Sequence, residues 1–304
     1  MEPQRTPYDL NFRLFGTHVR VHPLFWLLAA ILGWQSPPRL ESTAIWIACV
    51  FVSILVHEFG HIWMGRVFGS RGHIILWSFG GLAVPNKRSW RWWEDLLVSV
   101  AGPLAGFVLF GIVFGVSFAF YPLFALDALQ RIVGLFQISV NFMSLVPPWA
   151  VQGPSAFPHF LVREVIVQLF WINLLWGFLN LLPIWPLDGG RISRAILTAV
   201  APRRALRWSL GISFLVAGVI SLHCLIKWMR PESSGILPFL AIGSGWMALM
   251  FGVLAIQSFQ MLQQADRLSD PFFRDASHRR EIDPYPLDDD DDDDRPQGGF
   301  FRRR

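Results

Sequence analysis

Five consecutive residues, His57-Glu58-Phe59-Gly60-His61, carry the chemistry that is easiest to read in this chain. On a helix, residues four apart share a face, so His57 and His61 set two imidazoles side by side. Two imidazoles on one face can grip one metal ion, and this HExxH spacing is a zinc pattern. Glu58 is offset by one position, so it can reach a water on that metal without becoming a ligand. That is the placement of a general base. The bland alternative is a His-Glu-His set at a helix end, facing lipid headgroups. A catalytic zinc site takes a third protein ligand and keeps one position open. Between His61 and Gly190 the acids are Glu94, Asp95, Asp127, Glu164 and Asp188. The first four flank helix ends. Asp188 closes an apolar run in Asn180-Leu181-Leu182-Pro183-Ile184-Trp185-Pro186-Leu187-Asp188-Gly189-Gly190. Two prolines break the helix and free its backbone, and two glycines let the chain approach another group closely. Such a context presents a carboxylate to a buried site; the plainer alternative is a turn Asp before two glycines.

The elements that must position these residues are membrane helices. Of 304 residues, 53% are hydrophobic and 16% charged, where a soluble domain carries about a quarter charged residues. Apolar runs at 23–34, 44–64, 96–120, 161–183, 206–228 and 236–262 read as spans. The first is the shortest, a length that also allows a half-buried helix. The fold class is therefore an all-α polytopic membrane protein of about six transmembrane helices. Segment 72–84 is too short to span. Its β-branched and aromatic residues around Gly80-Gly81 suggest a short re-entrant β segment of two strands, or else a simple interfacial loop. The chain divides into an N-terminal segment 1–22, a membrane-embedded domain 23–262 and an acidic tail 263–304. The tail has too few apolar residues to fold alone and is expected to be disordered.

Charge sets the orientation. Formal net charge is +4, and it becomes +11 when the seven aspartates Asp288 to Asp294 are set aside. With six crossings and the N-terminus in the cytoplasm, cytoplasmic segments carry Arg5, Arg13, Arg20, Arg66, Arg71, Lys87, Arg88, Arg91, Arg191, Arg194, Arg203 and Arg204. The other side has Arg39, Arg131, Arg163 and Arg230, so the positive-inside rule is satisfied. The expected protein is multi-pass, in a bacterial inner membrane, with both termini cytoplasmic. The apolar stretch 132–149 must then not cross, because a crossing there would put Asp188 on the opposite face from His57 and His61. The basic residues sit in short loops between apolar runs, a pattern that fits a lipid bilayer and excludes nucleic acid as a partner.

Together, the HExxH in a spanning helix, the later Asn-Leu-Leu-Pro-x-x-Pro-Leu-Asp-Gly-Gly and Ala101-Gly102-Pro103-Leu104 between them resemble the site-2 protease family of intramembrane metalloproteases, peptidase family M50. The resemblance covers about residues 20–200. It implies a zinc metalloendopeptidase with Zn2+ as cofactor, His57, His61 and Asp188 as ligands and Glu58 as the catalytic base. It also implies Asn180 as a polar group near the reacting carbonyl. The substrate it implies is a membrane-anchored protein, cut near the cytoplasmic side in regulated intramembrane proteolysis. The family often has Asn where this chain has Gly106.

Two other functions compete: a membrane metal-ion transporter, which has no use for Glu58 between the histidines, and an inactive scaffold of the same fold, which has no reason to keep Glu58 and the ligands. His18, His22, His73, His159, His223 and His278 read as bystanders, with His73 the best outsider. Cys49 and Cys224 read as small core residues. Asn173 reads as an interhelical hydrogen-bonding group. The pairs Gly102/Gly106 and Gly111/Gly115 read as close helix-packing positions.

Overall fold

A computed structural model of the chain describes residues 4–34, 39–77, 80–86, 91–136, 159–237 and 243–269. Two strands come first, β1 (Leu10–Leu14) and β2 (Thr17–Val21). Phe15 and Gly16 join them with φ of 47° and 72°, the left-handed pair that a two-residue hairpin requires. Helices α1 (Pro23–Leu32) and α2 (Leu40–Val67) follow, then strands β3 (His73–Trp77) and β4 (Gly80–Val84). The four strands form one sheet in the order β1-β2-β3-β4. The β1/β2 and β3/β4 pairs are antiparallel, and β2 runs parallel to β3 with Val19 opposite Ile74 and Val21 opposite Leu76.

Helix α3 (Trp92–Phe120) leads to α4 (Pro122–Gly134). A helical stretch over Phe160–Leu181 comprises α5 (Phe160–Trp171), a π turn (Ile172–Trp176) and α6 (Gly177–Leu181). After a Pro-rich turn come α7 (Asp188–Val200), α8 (Ala205–Met229) and α9 (Gly245–Ser269). The chain forms two compact units, residues 1–262 and 263–304.

Five helices among the described residues are long and apolar enough to cross a membrane: α2, α3, Phe160–Leu181, α8 and α9. The sixth run, 23–34, forms a shorter apolar helix. Helix α1 has ten residues and is about 15 Å long, half a bilayer core. It lies along the first half of α2, with Trp26 stacked on Phe51 and the Trp46 indole donating to the Ala29 carbonyl. The sheet covers the other half of α2: Val19, Val21, Ile74 and Leu76 pack on Ile54, Leu55, Phe59 and Ile62. Strands and half-helix together flank α2 where one full helix was expected. The N-terminal segment thus supplies two strands, β1 and β2, to the sheet. The alternative of a plain interfacial loop at 72–84 is likewise set aside.

Helix α4 was not foreseen. Its Phe124, Ala128 and Ile132 pack on Ile166 and Phe170, and Asp127 pairs with Arg131 one turn on, at 2.9 Å. The expectation for 132–149 lies, from residue 137 on, outside the described residues, as does the tail from 270. Among the described residues nothing lies within 4 Å of a Cβ built at Gly111 or Gly115.

Candidate metal centre

The three groups singled out for metal binding meet. Nε2 of His57 lies 3.0 Å and Nε2 of His61 3.3 Å from Oδ2 of Asp188, and the two nitrogens are 3.2 Å apart. All three residues are buried. His57 and His61 are held by the helical repeat of α2. Asp188 is brought to them by the turn between α6 and α7, where Pro183 and Pro186 end one helix before another begins. Helix α8 holds that turn from behind. Ser213 Oγ accepts a hydrogen bond from the Trp185 N–H and lies 3.1 Å from the Pro183 carbonyl. Ile184 and Leu187 pack among Ala217, Phe251 and Ala255 of α8 and α9. Burial works against ionisation of Asp188, yet the His61 and His57 imidazoles beside it hold its carboxyl well below the usual carboxylate range.

These residues fit a zinc ion. Tetrahedral ligands at 2.0–2.1 Å from a common centre stand about 3.3–3.4 Å apart, close to the separations seen here. The imidazoles are also oriented for it. Nδ1 of His61 lies 2.6 Å from the Val98 carbonyl. Donating there fixes the proton on Nδ1 and turns the Nε2 lone pair toward Asp188 and His57. Gly102 of α3 faces the same point. A Cβ at Gly102 would strike Nε2 of His61 and come within 2.8 Å of Nε2 of His57. The cradle exists because this residue has no side chain, and the close approach of α3 to α2 expected at Gly102 falls on the two imidazoles.

Glu58 sits beside the ligands and is not one of them. It is 5% exposed, and its carboxylate accepts a hydrogen bond from the Ala83 backbone N–H of β4. Gly81, two residues earlier on the same edge, leaves room for it: a Cβ there would collide with the Glu58 carboxylate. Asn180 is buried, and its Nδ2 donates to the Trp176 carbonyl at 3.1 Å. Its described hydrogen bonding does not reach the ligands.

Two features of the site had no signal in the motif. The Val98 carbonyl is a backbone group and leaves no trace in residue type. The Arg191 guanidinium pairs with Asp95 at 3.1 Å. Asp95 lies three residues before Val98 and Arg191 three after Asp188, so this pair joins the helical turn that orients His61 to the turn that carries Asp188. Asp95 had been set aside as an ordinary helix-flanking acid. Two of the bystander histidines have structural roles. His22 caps α1 by accepting from Leu24 N, and His223 accepts from the N–H groups of Ile236 and Leu237. His73 opens β3 opposite Val84 and stands outside the metal cluster. Cys49 and Cys224 are free and buried, as expected.

The model of peptidase family M50 matches residues 45–222, which contain His57, Glu58, His61, Asn180 and Asp188. That is more than half of the chain, and the protein belongs to peptidase family M50. Among curated proteins, a zinc metalloprotease of Methanocaldococcus jannaschii is 27% identical over 226 residues, covering 71% of this chain. Stage IV sporulation protein FB of Bacillus subtilis is 26% identical over 250 residues, covering 81% of this chain. The chain spans 55% and 66% of those two relatives' own lengths. A solved structure, the site-2 protease from M. jannaschii, aligns with a TM-score of 0.49 at 22% identity, over 84% of this chain and 95% of that one.

Proposed function

We propose that this protein is an intramembrane zinc metalloprotease that hydrolyses peptide bonds of membrane-anchored proteins near the cytoplasmic side of the bilayer, in regulated intramembrane proteolysis. The observation that carries the reading is the meeting of His57, His61 and Asp188, with ligand atoms all within 4.8 Å of one another, beside a buried carboxylate that is not a ligand. Zinc bound there supplies a water acidified to a pKa of about 7 and a Lewis acid for the scissile carbonyl. Glu58 would accept a proton from the attacking water and pass it to the leaving amine. Its bond to the Ala83 N–H fixes the carboxylate for both transfers. Asn180 offers an amide donor to the developing oxyanion.

The substrate must lose its helical hydrogen bonds before a peptide bond is accessible. The outer edge of β4 is placed to hold it extended. Ala83 turns its N–H away from β3 toward Glu58, and by the alternation of a strand Gly81 faces the same way. A substrate strand added along this edge would run past Glu58. The protein is read as multi-pass, in a bacterial inner membrane, with the ends of α2 and Phe160–Leu181 toward the cytoplasm, where Arg66, Arg71, Arg191 and Arg194 gather. A transport site has no use for Glu58 in this position, and a scaffold has no need of the cradle at Gly102. The test is cleavage of a single-span substrate by the purified full chain in proteoliposomes. A chelator should abolish cleavage and added Zn2+ restore it. Cleavage undiminished after zinc is stripped would overturn the proposal.

A further inference from the structure

Helix Phe160–Leu181 is interrupted by the π turn at Ile172–Trp176, a feature that recurs at functional sites because it pushes a residue out of the helical repeat. Asn173 lies in that turn and is 3% exposed. Both hydrogens of its amide are committed: Nδ2 donates to Ser53 Oγ and to the Leu169 carbonyl, each at 2.9 Å. Those bonds fix the side chain and leave its Oδ1 pointing the other way, with no hydrogen bond among the described residues. Oδ1 faces Gly106, where an added Cβ would stand 3.7 Å from it. The space beside them is a small pocket, walled by Gly106, Asn173, Trp176 and Gly177 and by the candidate ligand His57 itself. A second cavity, beside His61, shares none of its lining residues.

A buried amide that only joined two helices would need its donors alone. Here a polar acceptor is held toward open space beside a metal-binding histidine, in apolar surroundings where an unpaired polar group is costly. Ser53 precedes His57 by one helical turn, about 6 Å along the axis. That distance is about two residues of extended chain. We infer that this cavity is a specificity subsite: it receives a small side chain of the substrate within about two residues of the scissile bond, while Asn173 Oδ1 accepts a hydrogen bond from a substrate N–H exposed by unwinding. This rests on the reading of the protein as a protease.

Gly106→Ala is the discriminating variant. Its methyl would be in ordinary contact with Asn173, so the fold has room for it, yet it fills the cavity from the wall. The assay uses purified full chain in proteoliposomes with single-span substrates carrying Gly, Ala, Val or Leu at each of the two positions on either side of the cleaved bond. Wild type should prefer small residues at one of these positions. In Gly106→Ala the ratio of kcat/KM for Gly over Leu at that position should rise about tenfold or more, the scale of one methylene in a closed pocket, with zinc content unchanged. Asn173→Leu should lower kcat/KM about tenfold for every substrate in the series. A size profile that Gly106→Ala leaves unchanged at all four positions overturns the subsite. If wild type cuts none of the substrates, or cuts them equally well as Glu58→Gln, the protease reading itself fails, a different result from Glu58-dependent cleavage with an unshifted profile.

Discussion

Gly102→Ala should destroy zinc binding while the fold survives. In a helix, Gly to Ala stabilises by about 1 kcal/mol, so a change in the protein's stability is not the expected route of damage. The route is steric. Ordinary contact for a Cβ begins near 3.4 Å, and the added carbon at Gly102 would sit 2.8 Å from Nε2 of His57 and closer still to Nε2 of His61. His57 would have to retreat by about 0.6 Å and His61 by more, whereas zinc tolerates about 0.2 Å of error in a ligand distance. His61 has little freedom to move, because its Nδ1 is tied to the Val98 carbonyl at 2.6 Å. Misplacing a ligand through its supporting contacts costs 10–100-fold in metal affinity, and two displaced ligands should reach at least about 100-fold. Chelator competition on purified wild type and Gly102→Ala measures this directly, with a thermal melt of the zinc-free proteins as the control for folding. Zinc affinity in the variant within about threefold of wild type would refute the cradle and the placement of the metal next to Gly102.

His57→Ala, His61→Ala and Asp188→Ala should each lower zinc from about one ion per chain to a small fraction, since a three-ligand site rarely survives losing one; full occupancy in Asp188→Ala, by elemental analysis, would place the third ligand elsewhere. Arg191→Gln should leave the melting temperature nearly unchanged, because a partly exposed ion pair contributes little, yet lower zinc affinity about tenfold; the charge-swapped double variant Asp95→Arg/Arg191→Asp should recover part of that loss in the same titration. Single cysteines at the exposed positions Arg71 and Arg194 should react alike with an impermeant reagent, both protected in intact cells and both labelled once the membrane is opened; opposite behaviour would rule out a shared site.

Much of the site was legible because its chemistry is local. The spacing of His57 and His61 implies a shared face on any helix. Asp188 stood out because Pro183, Pro186 and two glycines surround it at the end of an apolar run. The five long helices follow from uninterrupted apolar length. What escaped notice depends on contacts far apart in sequence. Strand β2 pairs with β3 across the whole of α1 and α2, and no local pattern in Thr17–Val21 announces that partner. The apolar run of α1 gave the same signal as a span, although the sheet beside it supplies half of the length. Gly102 was read as a packing residue because the sequence shows only that it is small, while the structure shows the two imidazoles it makes room for. Asn173 does hydrogen-bond to a neighbouring helix, through Ser53, but its free acceptor depends on a π turn that residue type does not encode.

The central claim is that Glu58 acts as the base for a zinc held by His57, His61 and Asp188. Its most direct test compares wild type with Glu58→Gln, an uncharged side chain of nearly the same shape, in proteoliposomes holding a single-span substrate, with zinc measured in the same preparations. The account predicts equal zinc content and a loss of cleavage of about 100-fold or more, the usual contribution of a positioned base. Cleavage by Glu58→Gln at a rate near wild type, with zinc still bound, would contradict it.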